Sequence, residues 1–147
     1  MTKLIRYTIL SLFFFIPLTF SFKNFELFEF PKIILVYSFT SILLILHILN
    51  HLFNNTPLFT KNRFTFIFLV FLFSQILSTI FSIDRHMSFF GYYSRFNGGL
   101  LSIICYFILF QILSVYIDKD FTQKIINTSI ISAFFVCLYA ILQHFGI

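Results

Sequence analysis

Across 147 residues the chain is 59% hydrophobic and only 10% charged, with 26 phenylalanines and a mean hydropathy of +0.97. So little polar surface cannot cover a water-soluble globule, which excludes soluble enzymes and soluble binding modules and leaves an integral membrane protein. The net charge of +5 does not indicate nucleic acid, because no stretch has the dense Lys/Arg clustering a phosphate backbone requires; the cations flank apolar runs, where they meet lipid headgroups.

A hydrocarbon core of about 30 Å takes about 20 mostly apolar residues per helix. Segments of that kind lie at approximately residues 4–22, 33–52, 64–83, 100–117 and 125–145. They predict an all-α fold, a polytopic transmembrane helix bundle of about five spans forming a single membrane domain over residues 1–147. In the first segment Arg6 clips the start and Pro17 predicts a kink. The same segment has the basic start and small Thr19 and Ser21 of a signal peptide. An uncleaved helix is preferred, because the loop charges then sort by side. With a cytoplasmic N-terminus, Lys3, Arg6, Lys61, Arg63, Lys119 and Lys124 lie inside, and Lys23, Lys32, Arg85 and Arg95 lie outside. Asp118 and Asp120 accompany the inner set; Glu26, Glu29 and Asp84 accompany the outer one. This positive-inside bias predicts a multi-pass protein of the cytoplasmic (inner) membrane.

Between the first two segments, "KNFELFEFPK" places Glu26 and Glu29 near the positive end of a helix that Pro31 begins. Their spacing puts both on one helical face, which makes a paired-carboxylate site conceivable, but a solvated interfacial turn is the preferred reading. His47 and His51 stand four apart near the end of the second segment, a spacing that can present two imidazoles to one metal. No third ligand accompanies them, so polar capping is the preferred reading and no metal is assigned. Asn54–Pro57 then turns the chain. Ser74, Gln75, Ser78 and Thr79 make a polar stripe on the third segment, and Asn127, Thr128 and Ser132 make another on the fifth. Both are expected to hydrogen-bond across the bundle. Cys105 and Cys137 fall inside apolar segments and are assigned no chemistry.

The passage "SIDRHMSFFGYYSRFNGG", Ser82–Gly99, departs from this pattern by collecting charge, aromatic rings and three of the four glycines. Ser82-Ile83-Asp84 offers an N-cap for a short helix along the membrane surface, and Asn97-Gly98-Gly99 breaks any helix before the fourth segment. One reading is an interfacial external turn anchored by aromatics, with Arg85 and Arg95 snorkelling to lipid phosphates. In the other, Arg85 and Arg95 bind a pyrophosphate while Tyr92, Tyr93 and Phe96 stack on sugars or a polyprenyl chain.

"LSTIFSID" followed by "SFFGYYSRFNGGLLSIICYFILF" resembles the loop around the third and fourth membrane helices of O-antigen ligase and polymerase-like proteins. Ser82, Asp84, Ser88, Phe90, Gly91, Arg95, Gly98 and Gly99 carry the match, and "ELFEFPK" before the second segment fits the same pattern. The resemblance implies a metal-independent glycosyltransferase with no cofactor, which takes a glycan from an undecaprenyl-pyrophosphate carrier during cell-surface polysaccharide assembly. In that family the principal catalytic arginine and histidine lie in a later, larger external loop. The chain is accordingly expected to be the N-terminal portion of a larger transmembrane domain, inactive by itself, with its catalytic residues unknown. His144 is not promoted to that role. Arg95, Arg85, Tyr92 and Tyr93 are the expected contacts for the carrier phosphate or glycan. Membrane lipids and the undecaprenyl-pyrophosphate-linked glycan are the expected partners. Two alternatives stand beside this reading: a non-catalytic membrane partner whose polar stripes pack on another subunit, and a small transporter. No charged residue lies near the centre of any segment, which argues against transport.

Overall fold

Each apolar segment becomes a helix in the computed structural model, which describes residues 1–21 and 29–145. The elements are α1 (Thr2–Leu18), α2 (Glu29–Asn54), α3 (Arg63–Ile80), α4 (Arg85–Phe90), α5 (Leu100–Tyr116) and α6 (Lys119–His144), all helical. Only α2, α3 and α6 are both long and apolar enough to cross a membrane. At 17 residues, α1 and α5 reach about 26 Å, slightly short of a full hydrocarbon core. The five equal spans expected from hydropathy therefore resolve into three long helices and two shorter ones.

Long-range contacts give the helix directions. Arg6 lies over the Phe121 ring, Ser132 donates to the Phe14 carbonyl and Phe20 stacks on Tyr139, so α1 and α6 run parallel. Tyr37 bonds the chain just before α5 and His47 bonds its last residue, so α2 and α5 are also parallel, opposite in sense to α1. Thr60, just ahead of α3, meets Gln111 near the end of α5, which makes α3 antiparallel to α5. The helices pack in the order α6–α1–α2–α5–α3, and α4 lies against α3 and α5 at one end.

Ile5, Ile9 and Leu12 of α1, Leu43 of α2, Ile112 and Tyr116 of α5, and Phe121 of α6 form the core. The two flanking helices are bare by comparison. Phe66 and Phe73 on α3 are 69% and 61% exposed, and Phe134 on α6 is 62% exposed. Apolar surface of that extent is an aggregation hazard in water and an ordinary face in lipid.

The helix ends differ from their expected positions for local reasons. Residues 19–21 are not helical: α1, with Pro17 in its last turn, ends at Leu18, and Thr19 takes an extended conformation. Helix α2 starts four residues before the expected Ile33, at Glu29. Pro31 is tolerated there because first-turn N–H groups have no intrahelical partner. Helix α3 ends at Ile80, short of residue 83, and Asp84 begins a new helix instead. Helix α6 begins six residues before the expected residue 125, because the Asp118 carboxylate caps it by accepting the Phe121 N–H at 2.7 Å.

Candidate functional site

The Ser82–Gly99 passage folds as a short helix and a tight hairpin, both braced by the bundle. Asp84 Oδ1 accepts the Met87 N–H at 3.1 Å, so the expected N-cap forms and α4 follows it. Ser82 Oγ donates to the Asp84 carbonyl and Ser88 Oγ to Ser82 Oγ, fixing the approach. At the other end of α4, Gly91 adopts φ +88°, a region disfavoured for side-chain-bearing residues. A Cβ on Gly91 would lie 2.2 Å from the Asn97 carbonyl oxygen, and one on Gly99 would lie 2.3 Å from the Gly91 nitrogen. The two strands of the hairpin therefore touch through bare backbone, which explains why glycines occupy both positions.

Within the hairpin the Tyr92 N–H donates to the Asn97 carbonyl at 3.2 Å, and the Arg95 and Phe96 N–H groups share the Tyr92 carbonyl at 3.0 and 2.8 Å. Phe96 takes φ +51°, and its carbonyl accepts the Tyr37 hydroxyl of α2 at 2.7 Å. From α5, the Tyr106 hydroxyl donates to Asn97 Oδ1, and Ser102 Oγ donates to the Gly99 carbonyl while accepting the Gly98 N–H. A loop so tied at both feet is a fixed platform, not a solvated excursion.

On this platform the four sequence-predicted contacts separate. Arg95 lies 5.9 Å from the centroid of the Tyr92 ring and forms an ion pair with Glu29 at 3.3 Å. Arg85, the first residue of α4, is exposed and has no hydrogen bond or ion pair among the described residues. Tyr93 is 75% exposed and stands apart from the Arg95 contact. The structure thus joins Arg95 and Tyr92, adds Glu29, and leaves Arg85 and Tyr93 outside the cluster. Glu29 was expected as a helix-end carboxylate or as half of a carboxylate pair with Glu26; its observed partner, Arg95, lies 66 residues away. Glu26, the other half of the proposed carboxylate pair, lies outside the described residues. Both members of the Arg95–Glu29 pair are about half exposed. An exposed pair of this kind is worth about 0–1 kcal/mol.

The opposite end of the bundle holds a buried polar network that sequence reasoning did not assemble. His47, 3% exposed, faces the Tyr116 hydroxyl through Nδ1 at 2.9 Å and the Leu58 carbonyl through Nε2 at 3.2 Å. A carbonyl only accepts, so in the neutral ring Nε2 carries the hydrogen and Nδ1 accepts the tyrosine proton. Asn50 Nδ2 donates to the same Tyr116 oxygen at 2.9 Å, and Asn54 Nδ2 donates to Asn50 Oδ1 at 2.7 Å. His51 Nδ1 bonds the Thr56 carbonyl in the loop beyond α2, and His47 is a core residue joining α2 to α5. Among the described residues no three His, Cys, Asp or Glu side chains gather as metal ligands. Gln111 Oε1 accepts from the N–H and hydroxyl of Thr60, whereas its buried Nε2 has no partner among the described residues. Polar residues at 47, 50 and 54 recur at helical spacing in "HILNHLFN", the one signal from which this network was readable.

The two polar stripes behave differently from expectation. Ser132 does bond across the bundle, to the Phe14 carbonyl of α1 at 2.9 Å, whereas Thr128 bonds its own helix at Lys124 and Asn127 pairs with Gln123. On α3, Thr79 bonds the Gln75 carbonyl one turn back, and none of the four stripe residues bonds another helix among the described residues. A short hydroxyl reaches its own i−4 carbonyl more readily than a neighbouring helix. Cys105 and Cys137 are both free thiols.

Searches against protein-family models, curated proteins and solved structures find no match for this chain.

Proposed function

We propose that all five longer helices cross the cytoplasmic membrane, with α4 and the 91–99 hairpin on its outer surface. In this reading the chain is the N-terminal membrane portion of an O-antigen ligase- or polymerase-like protein. It engages an undecaprenyl-pyrophosphate-linked glycan during cell-surface polysaccharide assembly. The observation that carries the reading is the braced hairpin, which holds Arg95 beside the Tyr92 ring at the end of the bundle where α4 lies. A guanidinium suits a diphosphate, an exposed tyrosine face suits a sugar, and neighbouring apolar helix faces suit a polyprenyl chain. Arg85 supplies a second cation on the same loop. Glu29 holds Arg95 in place when no anion is bound.

Photocrosslinking of the full chain with a polyprenyl-diphosphate probe tests this. Labelling is expected within residues 85–96, and Arg95→Ala is expected to reduce it roughly ten-fold, the loss of a charge-assisted hydrogen bond. Unchanged crosslinking in Arg95→Ala overturns the assignment. A second reading, a non-catalytic partner subunit, is favoured by Ser74 and Ser78, which are exposed on α3 and make no hydrogen bond among the described residues. Cysteine crosslinks from those two positions to another polypeptide would support it.

A further inference from the structure

At the end of α3 remote from α4 lies a groove of about 610 Å³. Phe59, Phe66 and Leu69 wall it on the α3 side and Phe107 of α5 closes the other, so its lining is almost wholly apolar. It begins at the loop ahead of α3 and follows the first two turns of that helix. The groove also has a rigid head. Thr60 is bonded to Gln111 of α5, and Thr65 donates to the Thr60 carbonyl at 2.9 Å. Lys61 is the charged residue among its lining, and Arg63, outside the lining, stands two residues on. The carboxylates at this end of the bundle, Asp118 and Asp120, belong to the turn and first residues of α6. That helix is at the far side of the row from α3, and Asp118 is already paired with Arg6.

We propose that this groove binds an anionic glycerophospholipid, one acyl chain lying along Phe66, Leu69 and Phe107 and the phosphate meeting Lys61. Three features fit that occupant. The groove opens on α3, whose outward face is apolar and exposed along its length, so its surroundings are lipid. Its lining is apolar at Phe59, Phe66, Leu69 and Phe107, while its polar residues, Thr60, Lys61, Asn62 and Thr65, belong to the loop ahead of α3 and that helix's first turn, a pattern that suits a single amphiphile. The local charge at the polar end is positive and uncompensated, which selects an anionic headgroup over a zwitterionic one. This site is independent of the hairpin at the other end of the bundle.

The test is photolabelling of the full chain in phosphatidylcholine bilayers doped with a trace of diazirine-acyl phosphatidylglycerol or diazirine-acyl phosphatidylcholine, with labelled peptides mapped by mass spectrometry. Labelling of Phe66, Leu69 and Phe107 is expected to favour phosphatidylglycerol about five-fold, the bias of one lysine near the surface. Lys61→Gln, a substitution at an exposed position, is expected to bring the two lipids to parity. Leu69→Trp fills the trough and is expected to lower labelling at Phe107 by either lipid. Equal labelling of the parent chain by both lipids overturns the proposal. So does labelling no denser in the groove than at Phe71 and Phe73 farther along α3, or a crosslink there between two copies of the chain.

Discussion

The Tyr116 hydroxyl is hydrogen-bonded to His47 Nδ1 and accepts a hydrogen bond from Asn50 Nδ2, with all three residues within 4% of complete burial. In lipid, apolar contact between helices gains little over contact with acyl chains, so such bonds and close packing carry a larger share of helix association. Removing the hydroxyl leaves a ring nitrogen and an amide N–H unsatisfied at once, each a dry polar group. Tyr116→Phe is therefore expected to destabilise the bundle by about 1–3 kcal/mol. Thermal unfolding in mild detergent checks this, and a midpoint equal to that of the parent chain would show that Tyr116 does not hold α2 against α5. Arg95 and Glu29 present the opposite case. Half-exposed and screened, the pair contributes little stability.

At the scale of elements, caps decide where helices begin. Asp84 starts α4 and Asp118 starts α6, each through a side-chain oxygen accepting an N–H three residues on. The Phe121 N–H, and after it Arg6 and Lys124, hold the Asp118 carboxyl below its ordinary value of 3.8. A depressed carboxylate contributes stability that is fully present well above pH 3.8 and is lost as the pH falls through the folded-state value. Asp118→Ala is thus expected to lower the unfolding midpoint at neutral pH, with the gap from the parent chain closing as the solution is acidified below pH 3.8. A gap that stays constant on acidification would show that the carboxylate charge plays no part. Arg6 links the same turn to α1 by pairing with Asp118 and donating to the Tyr116 carbonyl at 3.2 Å. The basic residue that seemed only to shorten the first apolar segment is a clasp between three helices.

For the whole molecule, α1, α3 and α6 run in one direction and α2 and α5 in the other. This sorts six Lys/Arg to one end of the bundle, with Asp118 and Asp120, and brings Arg85, Arg95, Glu29 and Asp84 to the end where α4 lies. The proposed orientation puts the six-cation end in the cytoplasm, as the positive-inside rule requires. A reporter active only outside the membrane is expected to be active when fused after Phe90 and silent when fused after Lys61. The reverse pattern would invert the orientation and place the hairpin in the cytoplasm, away from any externally presented carrier.

What the sequence by itself determined is what depends on composition and on neighbours within a turn or two. The apolar runs declared helices and a lipid environment, Asp84 declared the cap of α4, and Asn97-Gly98-Gly99 declared a break before α5. Such features are local: hydropathy sums over a window, and a cap reaches three residues. Where Pro17, Pro31 and Asp118 set the termini, hydropathy alone misplaced them by several residues, because backbone hydrogen bonding and not polarity ends a helix. Only the tertiary structure decided that Glu29 meets Arg95, that Arg6 meets Asp118 and that His47 meets Tyr116. The partners are separated by 66, 112 and 69 residues. The hydrophobic period of one helix tells which of its faces is apolar and nothing about which helix lies against it. In this chain even that signal is faint, because the helices are apolar nearly all round. Long-range packing, which sets the order α6–α1–α2–α5–α3, could be seen only once the helices were assembled.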